Sequence, residues 1–275
     1  MQTRRARVYH VFVLFAGCLE GCATGPSNPS FPLTCAQAHQ AIVQMRRAPV
    51  PLQRPLVVVG GFLDPNLSPP WYAHFFGEMA NGQKIIPVSV GYCTSFAQCR
   101  RRIIDAVDKA VLSSDPNWTT QVDVVGASLG GLAARYAAAP SDDPGHPRRL
   151  NIARLFSISS PHSGAKLALA VAPSDYIRQM RPGSPFLQSL AKFDSSARYE
   201  IYPYIHLDDD VVGDRFAAPP GRNVYWLPND VPLPPHVSAM IDPRILADIA
   251  RRLRGQTPFT IAPAAPLPGD GVRGG

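Results

Sequence analysis

From residue 56 onward the chain alternates between short unbroken apolar runs and longer stretches whose apolar positions recur at helical spacing. The first run, 56–59, is Leu-Val-Val-Val and stops at Gly60-Gly61. A strand with no polar position along it is buried on both faces, as in a parallel sheet. A short helix is expected over 71–79, a strand over 84–90, and a helix over 98–112, where Ile103, Ile104, Val107, Ala110 and Val111 share a face. A strand over 121–127 runs into an alanine-rich helix over 129–139, and another strand follows at 152–159. Residues 164–198 have no strand character and read as a helical insertion. The last strands fall at 199–207 and 223–227, and one amphipathic helix over 238–253 closes the pattern. Six strands alternating with helices predict a doubly wound, mostly parallel α/β sheet with right-handed crossovers.

The ends have a different texture. Residues 35–47 suit an amphipathic helix, set apart from the first strand by Pro49, Pro51 and Pro55. Residues 24–34 are rich in Pro, Ser and Gly and read as a tether, and 256–275 as a Pro/Gly-rich tail adding little to the fold. The folded domain is thus expected over 35–255. Within 1–23, Arg4, Arg5 and Arg7 precede an apolar run at 8–16 and then small residues, the layout of an export signal. That run is too short for a permanent membrane span. The stretch L-F-A-G-C ending at Cys18 resembles a bacterial lipobox, whose cysteine is lipidated; Cys22 in L-E-G-C fits that pattern less well. The chain is expected to be exported, either as an outer-membrane or periplasmic lipoprotein anchored through a lipid on Cys18, or as a secreted protein.

Composition narrows the partners. A chain of 275 residues, 45% hydrophobic and 17% charged, supplies one sizeable globular domain. Its formal charge of +7 falls to +4 once the three N-terminal arginines are set aside. The remaining basic residues are scattered and form no stripe interleaved with aromatics, which argues against nucleic acid. With Cys18 set aside, four cysteines remain, Cys22, Cys35, Cys93 and Cys99, an even number suited to an oxidising compartment. Cys93 and Cys99 flank a short loop and are expected to close a small disulfide ring, the alternative being two thiols. No histidine or second thiol pair stands at zinc-ligand spacing, so no metal is expected.

The chemistry concentrates at 122–136, V-D-V-V-G-A-S-L-G-G-L-A-A-R-Y, where Gly126, Ser128 and Gly130 form G-x-S-x-G. The five-residue pattern alone is weak. Here a strand runs directly into it and a helix directly out, which makes a nucleophile elbow. So sharp a turn strains the serine backbone and needs small neighbours at Gly126 and Gly130. It also leaves Ser128 at a helix N-terminus, where amide groups and the helix dipole favour a developing oxyanion.

With that elbow, four further segments are similar to bacterial α/β-hydrolases of the lipase and esterase kind, over about residues 55–253. V-V-V-G-G-F-L (57–63) resembles their oxyanion loop, although Gly60 stands where many relatives have histidine. I-S-S-P-H-S-G (158–164) resembles a T-P-H-x-G stretch after the next strand, R-P-G-S-P-F-L (181–187) a cap segment, and H-L-D-D-D-V-V-G (206–213) the acid-bearing turn. The resemblance implies an α/β-hydrolase fold with a short helical cap over 164–198. It also implies a Ser–Asp–His chain order, which makes His236 the base. His162 precedes the acidic turn and is expected to be structural, and His206 lies within a strand as a core histidine. Aligning the acidic turn favours Asp209 as the orienting acid, with Asp208 and Asp210 left open and a calcium site on the cluster as the competing reading. The backbone amides of Phe62 and Leu129 would form the oxyanion hole.

These residues together imply carboxylic-ester hydrolysis through an acyl-enzyme, on a small-molecule or lipid ester, without a cofactor. Acyl transfer or amide hydrolysis on the same groups, or a binding role on the cell surface, are the alternatives. The apolar residues of the insertion, Leu167, Leu169, Ile177, Met180, Phe186, Leu187 and Leu190, suit either a cap over an acyl pocket or packing on the sheet.

Overall fold

The structure, a computed structural model, describes residues 26–268 apart from 142, 144 and 195–197. Six strands, β1 (Leu56–Val59), β2 (Ile85–Val88), β3 (Val122–Ala127), β4 (Ile152–Ile158), β5 (Glu200–His206) and β6 (Tyr225–Leu227), form one sheet in the order β2-β1-β3-β4-β5-β6. Every pairing is parallel. The unbroken apolar runs follow from burial on both sides. Leu56 and Val58 pack toward α1 (Cys35–Arg47), α2 (Ser68–Gly77) and α9 (Pro243–Leu253), while Val57 and Val59 pack toward α3 (Phe96–Ala110) and α4 (Leu129–Ala138). The chain leaves β1 for β2 on one side and returns past it to β3 on the other. Such a reversal opens a crevice at the carboxyl ends of the two strands that flank it. The loops after β1 and β3 therefore meet.

The insertion folds into three short helices, α5 (Lys166–Ala170), α6 (Asp175–Arg178) and α7 (Pro185–Asp194). Tyr176, Met180, Leu187 and Leu190 join the core beside α3 and α4, whereas Leu167 and Leu169 remain half exposed. Most of its apolar content therefore packs on the body of the domain.

Three expectations are corrected. The closing helix is two, α8 (Pro235–Ile241) and α9, because Pro243 forces Asp242 into an extended conformation with ψ 119°. The apolar spacing continues across that break, which is why the pattern reads as one helix. The segment 26–34 is no loose tether, since Phe31 and Leu33 are buried and the Asn28 side chain donates to Trp226 O at 2.7 Å. Nor is the tail idle: Phe259 and Thr260 donate their N–H groups to the buried Asp248 carboxylate, and Ile261 donates to Ser30 O. Both segments satisfy their backbone through side chains and through each other, which composition does not reveal. The export signal, Cys18 and Cys22 lie outside the described residues. Among the described residues no helix is long and apolar enough to cross a membrane.

Candidate active site

Ser128 follows β3 and caps the start of α4 with φ 51° and ψ −125°, a conformation that a non-glycine residue adopts only when its surroundings impose it. What imposes it is local packing. The Ser128 N–H donates to Ile158 O at 2.8 Å. A Cβ on Gly126 would come within 2.5 Å of Gly131 Cα, and one on Gly130 within 2.4 Å of Val59 O. The helix thus enters the turn in contact with the end of β1, closer than any side chain would allow.

His236 lies in the first turn of α8 rather than in the loop before it. Its Nε2 is 3.0 Å from Ser128 Oγ, and its Nδ1 is 2.9 and 3.1 Å from the two Asp209 carboxylate oxygens. Asp209 is almost fully buried and follows β5 in a tight turn, where its Oδ1 also accepts the N–H groups of Val211 and Val212 at 3.0 and 2.9 Å. Burial alone would raise its pKa. The hydrogen bond and charge of His236 and the Val212 N–H outweigh that and hold it below the ordinary value. Asp208, with φ 64°, and Asp210 point outward and are exposed. The structure therefore brings Ser128, His236 and Asp209 into one hydrogen-bonded line and leaves the other two carboxylates out of it.

The two amides expected to form an anion site are both near the serine. The Leu129 N–H opens α4 and so has no acceptor within the helix. Phe62 follows Gly61, where an added Cβ would stand 3.1 Å from Ser128 Cβ. Gly60 N–H is taken by Val88 O and Leu63 N–H by Gly91 O, while no acceptor for the N–H of Gly61 or of Phe62 occurs among the described residues.

His162 is fully buried, with Nε2 2.8 Å from Ser157 Oγ, and its carbonyl accepts from Arg135 at 2.6 Å. Burial, with the nearby Arg135 charge, holds its pKa well below the ordinary 6.5. His206, also buried, sits between Ser238 Oγ at 2.8 Å and Asp242 Oδ2 at 2.7 Å. Neither ring is bonded to Ser128.

The expected Cys93–Cys99 disulfide is not formed; both are buried thiols. Cys99 lies within α3, and its Sγ is 3.1 Å from the hydroxyl of Tyr176, a contact the insertion supplies from 77 residues away. Burial pushes the Cys99 thiol up to about 12. Among the described residues no group of three or more His, Cys, Asp or Glu side chains is arranged to hold a metal ion.

Two supporting carboxylates escape a sequence reading. Asp214 accepts the N–H groups of Asp208 and Asp209, both at 3.3 Å, and so shapes the turn that presents Asp209. Asp64 does comparable work in the loop after β1. Both look like ordinary loop acids in the sequence, and only the backbone amides around them reveal the role.

No family model matches this chain, and no curated protein matches it. Solved structures do. A Bacillus licheniformis lipase, BlEst2, in its propeptide form shares 15% identity over 78% of this chain and 54% of its own, with a TM-score of 0.49. The phospholipase PlaB from Legionella pneumophila shares 12% over 59% of this chain and 45% of its own (TM-score 0.42). A metagenomic carboxyl esterase, MGS0156, shares 15% over 74% and 76% (TM-score 0.42). The chain spans about half the length of the first two. The all-parallel sheet, its strand order and the elbow between β3 and α4 make the architecture that of an α/β-hydrolase.

Proposed function

We propose that this protein hydrolyses carboxylic esters through an acyl-enzyme, with Ser128 as nucleophile, His236 as general base and acid, and Asp209 as the carboxylate that orients His236. The observation that carries the reading is the line from Asp209 through the His236 ring to Ser128 Oγ, with hydrogen-bond distances of 2.9 and 3.0 Å. Asp209, kept ionised, accepts a hydrogen bond from Nδ1–H and so leaves Nε2 with its lone pair toward the serine. Ser128 Oγ attacks the ester carbonyl as its proton passes to Nε2. The N–H groups of Phe62 and Leu129 receive the charge that develops on the carbonyl oxygen. The C–O bond to the alcohol then breaks, and the alcohol leaves with the proton from His236. Water, deprotonated by the same nitrogen, attacks the acyl-enzyme and returns Ser128 and the free acid.

Apolar side chains are exposed on the segments around this edge. Leu63, Leu67, Tyr92, Leu167, Leu169 and Leu233 are all exposed, and all lie on segments that leave the carboxyl ends of β1, β2, β4 and β6, the edge that carries Ser128. This supports esters with an apolar acyl or alcohol part.

The test is hydrolysis of p-nitrophenyl esters from acetate to palmitate by the protein and its Ser128→Ala variant, with fluorophosphonate labelling alongside. Activity and labelling that vanish together in the variant are expected. An intact protein that neither cleaves any ester in the series nor takes the label overturns the proposal.

A further inference from the structure

We infer that Asp64 is a positioning residue for the oxyanion hole: its carboxylate fills the space a side chain at residue 60 would need and closes the loop that carries the Phe62 N–H. The inference rests on the ester-hydrolase reading above.

The loop from Gly60 to Leu67 joins β1 to α2 and holds two non-glycine residues in the left-handed region, Leu63 at φ 58° and Asn66 at φ 65°. A leucine stays there only when its neighbours leave no alternative. At the α2 end, Asp64 Oδ1 accepts the Leu67 N–H at 2.7 Å, and Oδ2 accepts the Ser68 N–H at 3.2 Å and the Ser68 hydroxyl. At the β1 end the same Oδ2 stands 2.6 Å from where a Gly60 Cβ would be, with Pro69 Cγ at 2.9 Å behind it. One carboxylate thus bonds the α2 end of the loop and occupies the space beside Gly60 at the β1 end, and Phe62 lies between them.

The backbone of Asp64 is held as tightly as its side chain. A Cβ on Gly91 would come within 2.2 Å of Asp64 O and 2.7 Å of Asp64 N, and Gly91 O accepts the Leu63 N–H at 3.0 Å. The loop after β2 therefore presses the turn from outside while the carboxylate ties it from inside. The departure at Gly60 has its structural counterpart here: the room beside β1 belongs to Asp64. Without that carboxylate the Leu67 and Ser68 amides lose their acceptor and the α2 end of the loop is untied, while the Gly60 N–H to Val88 O and Leu63 N–H to Gly91 O bonds remain. The Phe62 N–H is then held from the β2 side alone and its direction loosens, while Ser128, His236 and Asp209 keep theirs.

Asp64→Ala, Asp64→Asn and Ser68→Ala are compared with the unaltered protein on matched esters and thionoesters, with active enzyme counted by fluorophosphonate titration. A thionoester puts the developing charge on sulfur, a large and weak acceptor, so the ester-to-thionoester ratio of kcat/KM reads the oxyanion hole, and loss of folded enzyme does not move it. Loss of one such donor lowers kcat by about 100-fold. Asp64→Ala is expected to fall by up to that amount with KM changed less than about threefold, and its ester-to-thionoester ratio to drop about tenfold. Asp64→Asn, which keeps one acceptor oxygen for Leu67, falls between, and Ser68→Ala moves least. An unchanged ratio in Asp64→Ala overturns the inference. Should that variant fail to fold, an unchanged ratio in both Asp64→Asn and Ser68→Ala does the same. An unaltered protein without esterase activity or labelling sinks the ester-hydrolase reading and this inference with it, whereas an active protein with unchanged ratios sinks Asp64 alone.

Discussion

Replacing Asp209 by asparagine tests the proposed base most sharply, because the structure dictates how the new amide must sit. Oδ1 of Asp209 faces two N–H donors, those of Val211 and Val212, at 3.0 and 2.9 Å. An amide nitrogen cannot take that place without setting donor against donor, so the substituted side chain keeps its oxygen there and turns its NH2 toward His236 Nδ1. Nδ1 must then accept, which puts the ring proton on Nε2 facing Ser128 Oγ. The ring stays where it was and can no longer take the serine proton. A wrong tautomer held in otherwise intact geometry costs about 10⁴-fold in kcat, or roughly 5.5 kcal/mol of barrier. The assay is steady-state hydrolysis of p-nitrophenyl butyrate with active sites titrated by a fluorophosphonate. Asp209→Asn should lose about four orders of magnitude in kcat with KM within about threefold, and label correspondingly slowly. A variant that keeps activity within about tenfold of the unaltered protein would refute the tautomer argument and the assignment of Asp209 with it.

Two further outcomes follow from strain and from burial. Ser128 stores about 1–3 kcal/mol in its backbone conformation, which glycine adopts freely, so Ser128→Gly should be inactive yet about 1 kcal/mol more stable than Ser128→Ala in urea unfolding, after the entropic penalty of glycine. A glycine variant less stable than the alanine variant contradicts the claim of strain. His162 is buried with its pKa depressed, so the folded protein resists a proton that the unfolded chain accepts near pH 6.5. Its contribution is complete above that pH and declines as pH falls below it, by up to about 1.4 kcal/mol per pH unit. His162→Gln should remove that slope between about pH 6.5 and 5. Parallel stability curves for the two proteins would show that the imidazole is not the group responsible.

What the sequence discloses is what depends on neighbours in the chain. The Leu56–Val59 run announces a strand buried twice over, and the glycines around Ser128 announce a turn too tight for Cβ atoms; both are local conditions, visible as patterns. The order of Ser, Asp and His is also readable, and it singles out the histidine that lies against Ser128. Contacts supplied from a distance are not legible. Two cysteines six residues apart suggest a ring, but both are buried thiols, and the Cys99 Sγ meets the hydroxyl of Tyr176 from the insertion. A Pro-rich start and a Pro-rich end suggest idle chain, yet Ser30 and Ile261 bond to each other across the whole sequence. The break at Asp242 was present in the letters: Pro243 forbids a continuous helix, and the amphipathic spacing on either side of it conceals the fact.

That break matters for the site, because it lets α8 be aimed independently of α9. His206 is the last residue of β5, three before Asp209, and Ser238 is two after His236. The His206 ring bonds to Ser238 Oγ on one side and to Asp242 on the other, and Asp242 is gripped in turn by the Arg244 guanidinium at 2.6 Å. Burial opposes the Asp242 charge, but His206 and Arg244 outweigh it and hold the carboxyl well below the usual range. The strand that leads to Asp209 and the helix that carries His236 are therefore fastened by a buried network within three residues of each. Removing Arg244 would leave the buried Asp242 charge without its cation, at a cost of about 3–5 kcal/mol, so the network resists displacement of α8. Asp64 and Asp214 tie the loops after β1 and β5, and Asp242 the junction of α8 and α9, behind the proposed oxyanion amide, acid and base in turn. None of the three touches the Ser128 hydroxyl. The precision of the line from Asp209 to Ser128 comes from carboxylates that take no part in it.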